Sequence, residues 1–167
     1  TDRFQTAALP EARRIRRIGA DADEAAWQDL APRLEGRRGL ILWGQSAPMD
    51  GRLRRALDRF AERFDCAILA DRLSNCRHPR AIQSAYLALR ALTPAEASDL
   101  APDVVISVFG NYSFNGEIKG YLRSTGRAFE CWDVGRSSVS DPFRRLTTII
   151  ETSEAFFFEK LAGLASG

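Results

Sequence analysis

The chain has 167 residues, of which 45% are hydrophobic and 28% are charged, and its formal net charge at pH 7 is +2. These values predict one globular domain with a buried core, and they exclude a disordered tail and a polybasic nucleic-acid-binding protein. No apolar run approaches the ~20 residues of a membrane-spanning helix, and the start lacks a basic-then-apolar secretory pattern, so a cytoplasmic location is expected.

The N-terminal region divides into a linker and a basic segment. Residues 1–11 show no periodicity and contain Pro10, which is typical of a linker that arrives from a preceding part of a larger polypeptide. The run 13–18, Arg-Arg-Ile-Arg-Arg-Ile, is compatible with an edge strand or with an RNA contact. Because no aromatic residues are interleaved with its arginines, we expect a solvated edge.

The first half of the chain predicts a helix, a strand and a second helix. A helix from Asp23 carries Trp27, Leu30 and Leu34 at helical spacing, and Pro32 should end or kink it. The run 39–44 begins and ends with glycine and has the composition of a strand buried on both faces. The next helix is the clearest of the chain, with Asp50 as its expected N-cap. Its apolar residues are Leu53, Ala56, Leu57, Phe60, Ala61 and Phe64.

The second half continues this alternation. A buried strand at 66–70 ends at Asp71 and leads into a polar loop. Ile82, Ala85, Tyr86 and Leu89 have helical spacing and predict a helix. A threonine before a proline marks a further helix start. The remaining expected elements are a helix from Thr93, a strand ending at Phe109, a helix beginning near Asn115, strands at 128–133 and 146–150, and a helix from Ser153.

The predicted strands are too apolar to have a solvated face, and they alternate with helices. Both features predict an α/β fold. In this class a parallel sheet is covered by helices on both faces, as in Rossmann-like three-layer domains. Ligands bind such sheets outside the carboxyl ends of the strands. The loops after Gly44, Asp71, Phe109 and Asp133 are therefore the places where a site is expected.

Neither common nucleotide-binding motif occurs in the chain. The sequence contains no G-x-G-x-x-G and no G-x-x-x-x-G-K-[ST]. The stretches 44–51 and 110–116 each begin and end with glycine after a strand, so a helix N-terminus there could hold an anion. Glycine at a strand end also simply permits a turn, and both interpretations stay open.

The cysteines and the single histidine predict no metal site. Cys66, Cys76 and Cys131 have no CxxC spacing, and their odd number argues against a disulfide framework, so we expect reduced thiols. Cys76 and His78 supply only two of the four ligands that zinc requires. A Cys-His pair could act as nucleophile and base, but His78 precedes a proline and no orienting group is evident.

Three segments resemble the 2-succinyl-5-enolpyruvyl-6-hydroxy-3-cyclohexene-1-carboxylate synthases of menaquinone biosynthesis. The run 68–77, ILADRLSNCR, is similar to the strand and loop LADPLSNLR of that family, with Arg72 in place of proline and Cys76 in place of leucine. The run 102–110 and the segment that ends in KGYLR at 119–123 resemble the next strand, glycine turn and helix of that family. Residues 132–134 and 141–143 resemble the end of the family's central domain.

This resemblance implies that residues 12–167 are the central domain of a three-domain, thiamine-diphosphate-dependent enzyme. The whole enzyme would decarboxylate 2-oxoglutarate on that cofactor and add the succinyl semialdehyde unit to isochorismate, with magnesium holding the diphosphate. Its partners would be the pyrimidine-binding and diphosphate-binding domains of the same polypeptide, in a homo-oligomer. The family's G-D-G signature and activating glutamate do not occur here. We therefore expect no cofactor, metal or catalytic residue in this domain, and no activity in isolation.

The resemblance also implies a departure from the family at two neighbouring positions that would reach the substrate. The resemblance implies a Lys-Arg pair at the start of the helix after the glycine turn, where this sequence has Gly116 and Glu117. This exchange reverses the local charge toward an anionic substrate. Either another arginine supplies the charge or the acceptor differs. The residues expected to contact substrate or effector are Asn75, Arg77, Asn111, Tyr112, Ser113, Asn115, Gly116, Glu117 and Lys119.

Two other functions are compatible with the residues. The first is an independent module that binds a nucleotide or another anion at the loops starting at Gly44 and Gly110. The second is a stand-alone hydrolase, for which no nucleophile-base signature is present.

Overall fold

The computed structural model describes residues 13–110, 116–135 and 137–164. Within these ranges the chain alternates between strands and helices, as the sequence predicts. The linker expected at 1–11 lies outside the described residues. The strands are β1 Arg16–Gly19, β2 Gly39–Trp43, β3 Cys66–Ala70, β4 Ala81–Gln83, β5 Val104–Val108, β6 Glu130–Val134 and β7 Leu146–Glu151. The helices are α1 Glu24–Gln28, α2 Gly51–Arg63, α3 Ala85–Ala91, α4 Pro94–Asp99, α5 Gly116–Ser124 and α6 Glu154–Gly163.

The described strands form one sheet in which every pair is parallel. Its order is β1-β7-β6-β5-β2-β3-β4. Since parallel neighbours require a crossover connection, the helices lie on the faces of the sheet. The predicted α/β class and the parallel Rossmann-like sheet are confirmed.

Each face of the sheet has its own hydrophobic core. The larger core joins the sheet to α1, α2 and α6, where Phe60 of α2 lies 5.0 Å from Phe158 of α6 between ring centroids. The opposite core joins the sheet to α5 through the buried side chains of Ile118 and Leu122. The α2 and α5 connections thus cover opposite faces, as right-handed crossovers that run in opposite directions require.

The predicted helix boundaries follow from local capping. Asp50 accepts a hydrogen bond from the Leu53 amide at 2.7 Å, which confirms it as the N-cap of α2. Thr93 and Glu96 form a capping box at the start of α4. The first helix ends at Gln28, and a 3-10 turn containing Pro32 follows it, as the proline predicts.

The prediction was wrong at Ile82. This residue lies in the edge strand β4, paired with Leu69 of β3, and the helix begins only at Ala85. The left-handed backbone of Ser84, with φ of 58°, separates the two elements. The strand has only three residues, too few to show a periodicity in the sequence. Its extended conformation is therefore determined by pairing with β3.

The basic segment near the N-terminus is an edge strand, as expected. Strand β1 pairs only with β7 at one end of the sheet order. Three arginines of the basic segment form ion pairs with carboxylates of the same chain: Arg13 with Asp141, Arg16 with Asp29, and Arg17 with Glu151. In the described ranges, no helix has both the length and the apolar character needed to cross a membrane.

Candidate functional site at the carboxyl edge of the sheet

The winding of the chain changes direction between β2 and β5. Strand β2 lies between β3 and β5, and the chain proceeds from β2 to β3 on one side and from β5 to β6 on the other. In open α/β sheets the crevice outside the carboxyl ends at such a point is the usual ligand site. Gly44, after β2, and Gly110, after β5, meet there.

At the base of this crevice the backbone at Gly44 contacts the backbone at the end of β5. The Gly44 amide donates a hydrogen bond to the carbonyl of Val108 at 2.9 Å. A β-carbon placed on Gly44 would lie 1.9 Å from the Gly110 carbonyl oxygen. The Gly44 amide is therefore engaged by β5, and glycine is required here because the two loops touch.

The N-terminus of α2 is occupied by a carboxylate. Asp50 caps the Leu53 amide, and the Arg54 amide donates to the Asp50 carbonyl. Anions bind at helix starts because unpaired amides point toward them. At this helix start the negative charge of Asp50 would repel an anion. This geometry disfavours an anion cradle in the stretch 44–51. For the second stretch, the expected residues Asn111, Tyr112, Ser113 and Asn115 lie outside the described residues.

The loop after β3 presents two of the expected residues at this edge. Asp71 caps the short turn Arg72–Ser74 by accepting from the Leu73 amide at 2.8 Å. Asn75 then adopts the left-handed conformation, with φ of 51°. Asn75 and Arg77 are both exposed, whereas Cys76 between them is buried.

The start of α5 presents the remaining expected residues. Gly116 and Glu117 are exposed, and Lys119 is half-buried. Strands β5 and β3 are two positions apart in the sheet, about 10 Å at the usual strand spacing. The helix start and the Arg77 loop therefore belong to the same edge, on the two sides of β2.

The sequence interpretation missed Arg90 as a neighbour of this helix start. Arg90 lies on α3 and its guanidinium is 4.0 Å from the carboxylate of Glu117. Helices α3 and α5 pack together, although 26 residues separate this pair in the sequence. No motif could have indicated the pair, because the contact depends on the crossover from β4 to β5. Arg90 offsets part of the negative charge that Glu117 introduces.

Burial makes the three thiols poor nucleophiles. Burial raises the pKa of Cys66 to about 12, and it also raises the pKa values of Cys76 and Cys131. A thiol that stays protonated at neutral pH reacts slowly. All three cysteines are free, as the sequence predicts.

The single histidine is engaged at both ring nitrogens. His78 Nδ1 accepts from the Arg80 amide at 3.1 Å, and Nε2 lies 3.0 Å from Asp58 Oδ1. Since an amide can only donate, the proton is on Nε2 and is donated to Asp58. His78 thus fastens its loop to α2. Across the described ranges, His, Cys, Asp and Glu residues form no group of three or more that could hold a metal ion.

Comparison with known proteins gives two relatives with the same name. Over 166 residues, the chain is 28% identical to the 2-succinyl-5-enolpyruvyl-6-hydroxy-3-cyclohexene-1-carboxylate synthase of Phocaeicola vulgatus, covering 97% of this chain and 29% of that protein. Over 140 residues, it is 31% identical to the synthase of that name from Desulfotalea psychrophila, covering 83% of this chain and 26% of that protein. No protein-family model matches the chain.

The chain is therefore similar to this synthase, in agreement with the resemblance seen in its motifs. It spans between a quarter and a third of the length of these curated relatives.

Proposed function

We propose that this chain is the central domain of a synthase of menaquinone biosynthesis, which adds a succinyl semialdehyde unit from 2-oxoglutarate to isochorismate. The observation that carries the proposal is the similarity of nearly the whole chain to two synthases of that name. The parallel three-layer fold is compatible with it. The pyrimidine-binding and diphosphate-binding domains, a homo-oligomeric state and a cytoplasmic location are further parts of the proposal.

The proposed role of the carboxyl edge is to attract and orient an anionic substrate. The segment 68–77, which resembles the family most clearly, forms β3 and the loop that exposes Asn75 and Arg77. An arginine can bind a carboxylate through two parallel hydrogen bonds. Arg77 would thus supply positive charge that Gly116 and Glu117 do not.

Arg90 is the second cation that we assign to this edge. The side chain of Arg90 is 69% exposed and that of Glu117 is 42% exposed, so each is accessible to a substrate as well as to the other. A surface pair of this kind contributes little stability, since solvent screens it. We propose that its main effect is on the local charge that the substrate meets.

We assign no site for thiamine diphosphate or magnesium to the described residues. The described part lacks a cluster of carboxylates that could hold the metal, and the sequence has no G-D-G signature. In the proposal these groups are bound by parts of the polypeptide outside this chain. The residues described here bind and orient substrate and take no part in bond making.

Genetic complementation tests the proposal. The full polypeptide that contains this chain should restore menaquinone production to a host that lacks the synthase. An Arg77→Ala variant should restore less, because the substrate loses a cationic contact. Arg59→Ala removes an exposed arginine of α2 and serves as the matched control, which should restore fully. Failure of the wild-type polypeptide to restore menaquinone would contradict the proposal.

A further inference from the structure

The loop after β3 is tied to the loop after β2 by two hydrogen bonds that meet at one residue. The hydroxyl of Ser46 donates to the carbonyl of Ser74 at 2.6 Å. The side-chain amide of Asn75 donates to the carbonyl of Ser46 at 2.7 Å. We infer that Ser46 is a positioning residue, which fixes the loop that carries Asn75 and Arg77 at the carboxyl edge. This inference rests on the proposed function.

Ser46 is itself held by the core. The indole nitrogen of Trp43 donates to the Ser46 hydroxyl at 3.2 Å, so the hydroxyl accepts from the core and donates to the loop. Trp43 is fully buried, and its ring lies 5.0 Å from the ring of Phe109. The end of β2 therefore contacts both flanking loops, the one after β3 and the one after β5.

The loop is also closed on its own side. The Ser74 hydroxyl donates to the Asp71 carbonyl at 2.6 Å and accepts from the Cys76 amide at 3.2 Å. Ser74 has no exposed surface. These bonds determine the backbone conformation of the loop up to Cys76. They join residues of the same loop and so do not fix its position on the sheet. The two Ser46 bonds tie that part to the loop that follows the central strand β2.

The attachment to Ser46 also restrains Asn75, whose backbone is left-handed. Asparagine adopts this conformation more readily than most non-glycine residues, and a contact with its surroundings can hold it there. The bond from the Asn75 amide to Ser46 supplies such a restraint. Beyond it, the Arg77 carbonyl accepts from Arg54 of α2 at 3.3 Å. The backbone of Arg77 thus forms the second attachment of the loop.

A fixed loop improves binding because its order is established before the substrate arrives. If the loop were free, binding would have to restrict it, at about 0.5–1.5 kcal/mol per rotamer-rich side chain. Loss of the Ser46 hydroxyl should therefore raise the KM for the anionic substrate by about 5-fold, the equivalent of one hydrogen bond. The kcat should stay within about 2-fold, since Ser46 does not touch the reacting atoms.

The experiment uses the full polypeptide with Ser46→Ala, Arg77→Ala and the double variant. Ser124→Ala is the matched control, because the Ser124 hydroxyl also donates to a carbonyl, at the end of α5 and away from this edge. KM and kcat are measured with isochorismate as the varied substrate. Amide hydrogen exchange over residues 72–77 reports the order of the loop without any dependence on catalysis.

We expect Ser46→Ala to raise KM and to speed exchange in 72–77, and to add little to KM when Arg77 is already alanine. Unchanged exchange in Ser46→Ala, or an equal KM effect with and without Arg77, would overturn the inference. If Arg77→Ala leaves KM unchanged, the proposed substrate contact fails instead. The exchange rates of Ser46→Ala then still decide whether Ser46 positions the loop.

Discussion

Gly44 and Gly110 touch through their backbones at the point where the sheet changes its winding direction. The Gly44→Ala substitution would place a methyl group 1.9 Å from the Gly110 carbonyl oxygen. Because backbone has to move to relieve this contact, we expect the free energy of unfolding to fall by about 1–3 kcal/mol. Urea denaturation followed by circular dichroism measures the change.

Gly120→Ala is the control for this substitution. Gly120 lies inside α5, and a β-carbon there would meet no atom within 4 Å. Alanine should stabilise this helix by about 0.5–1 kcal/mol. Equal effects of the two substitutions would mean that the loops at Gly44 and Gly110 do not constrain each other.

Two buried tryptophans differ in the hydrogen bonding of the indole. Trp43 donates to Ser46, whereas Trp27 Nε1 is buried without a partner among the described residues. Tryptophan to phenylalanine removes the same atoms at both sites. We expect Trp43→Phe to lower the free energy of unfolding by about 1 kcal/mol more than Trp27→Phe, because only Trp43→Phe loses a hydrogen bond. A larger loss in Trp27→Phe, measured by thermal denaturation, would contradict this account.

The bond between His78 and Asp58 depends on an acceptor and not on a charge. Because Nε2 carries the proton, the oxygen of an asparagine can replace Asp58. We expect Asp58→Asn to change the free energy of unfolding by less than about 0.5 kcal/mol, and Asp58→Ala to lower it by about 1–2 kcal/mol. Similar losses in both variants during urea unfolding would show that an ion pair holds the loop.

Alkaline pH should destabilise the fold through Cys66. Burial raises the pKa of its thiol from the ordinary value of 9.0 to about 12. Between these values the unfolded chain loses the proton while the folded chain keeps it, so the free energy of unfolding falls as pH rises. Urea unfolding at pH 8 and pH 10 measures the slope, which should be smaller in a Cys66→Ala variant. An unchanged slope in that variant would exclude Cys66 as the cause.

The sequence predicted most of the fold because the central strands are apolar on both faces. Runs such as 39–44 and 66–70 predict strands of a parallel sheet that is covered on both faces. Strand β4 was missed since three residues give no periodicity, and pairing with β3 decides its conformation. Local chemistry also sufficed for the helix starts at Asp50, Thr93 and Ser153, where a side chain accepts from an amide three residues on.

The candidate site could be predicted only in part. The motif at 68–77 and the edge rule for parallel sheets predicted Asn75 and Arg77 in the loop after β3, where the structure has them, and their contact with a ligand stays a prediction. Arg90 and Ser46 were missed because their contacts join elements that are distant in the sequence. At 44–51 the sequence left an anion cradle and a simple turn open, and the carboxylate of the predicted N-cap Asp50 disfavours the cradle. The contacts of Arg90 and Ser46 depend on tertiary packing and leave no local pattern.

The reaction of the full polypeptide is the most direct test of the proposed function. The purified protein is incubated with 2-oxoglutarate, isochorismate, thiamine diphosphate and magnesium, and the products are identified by mass spectrometry. We expect 2-succinyl-5-enolpyruvyl-6-hydroxy-3-cyclohexene-1-carboxylate to form with the full polypeptide and not with residues 1–167 alone. Consumption of 2-oxoglutarate without this product, or formation of the product by the isolated chain, would contradict the account.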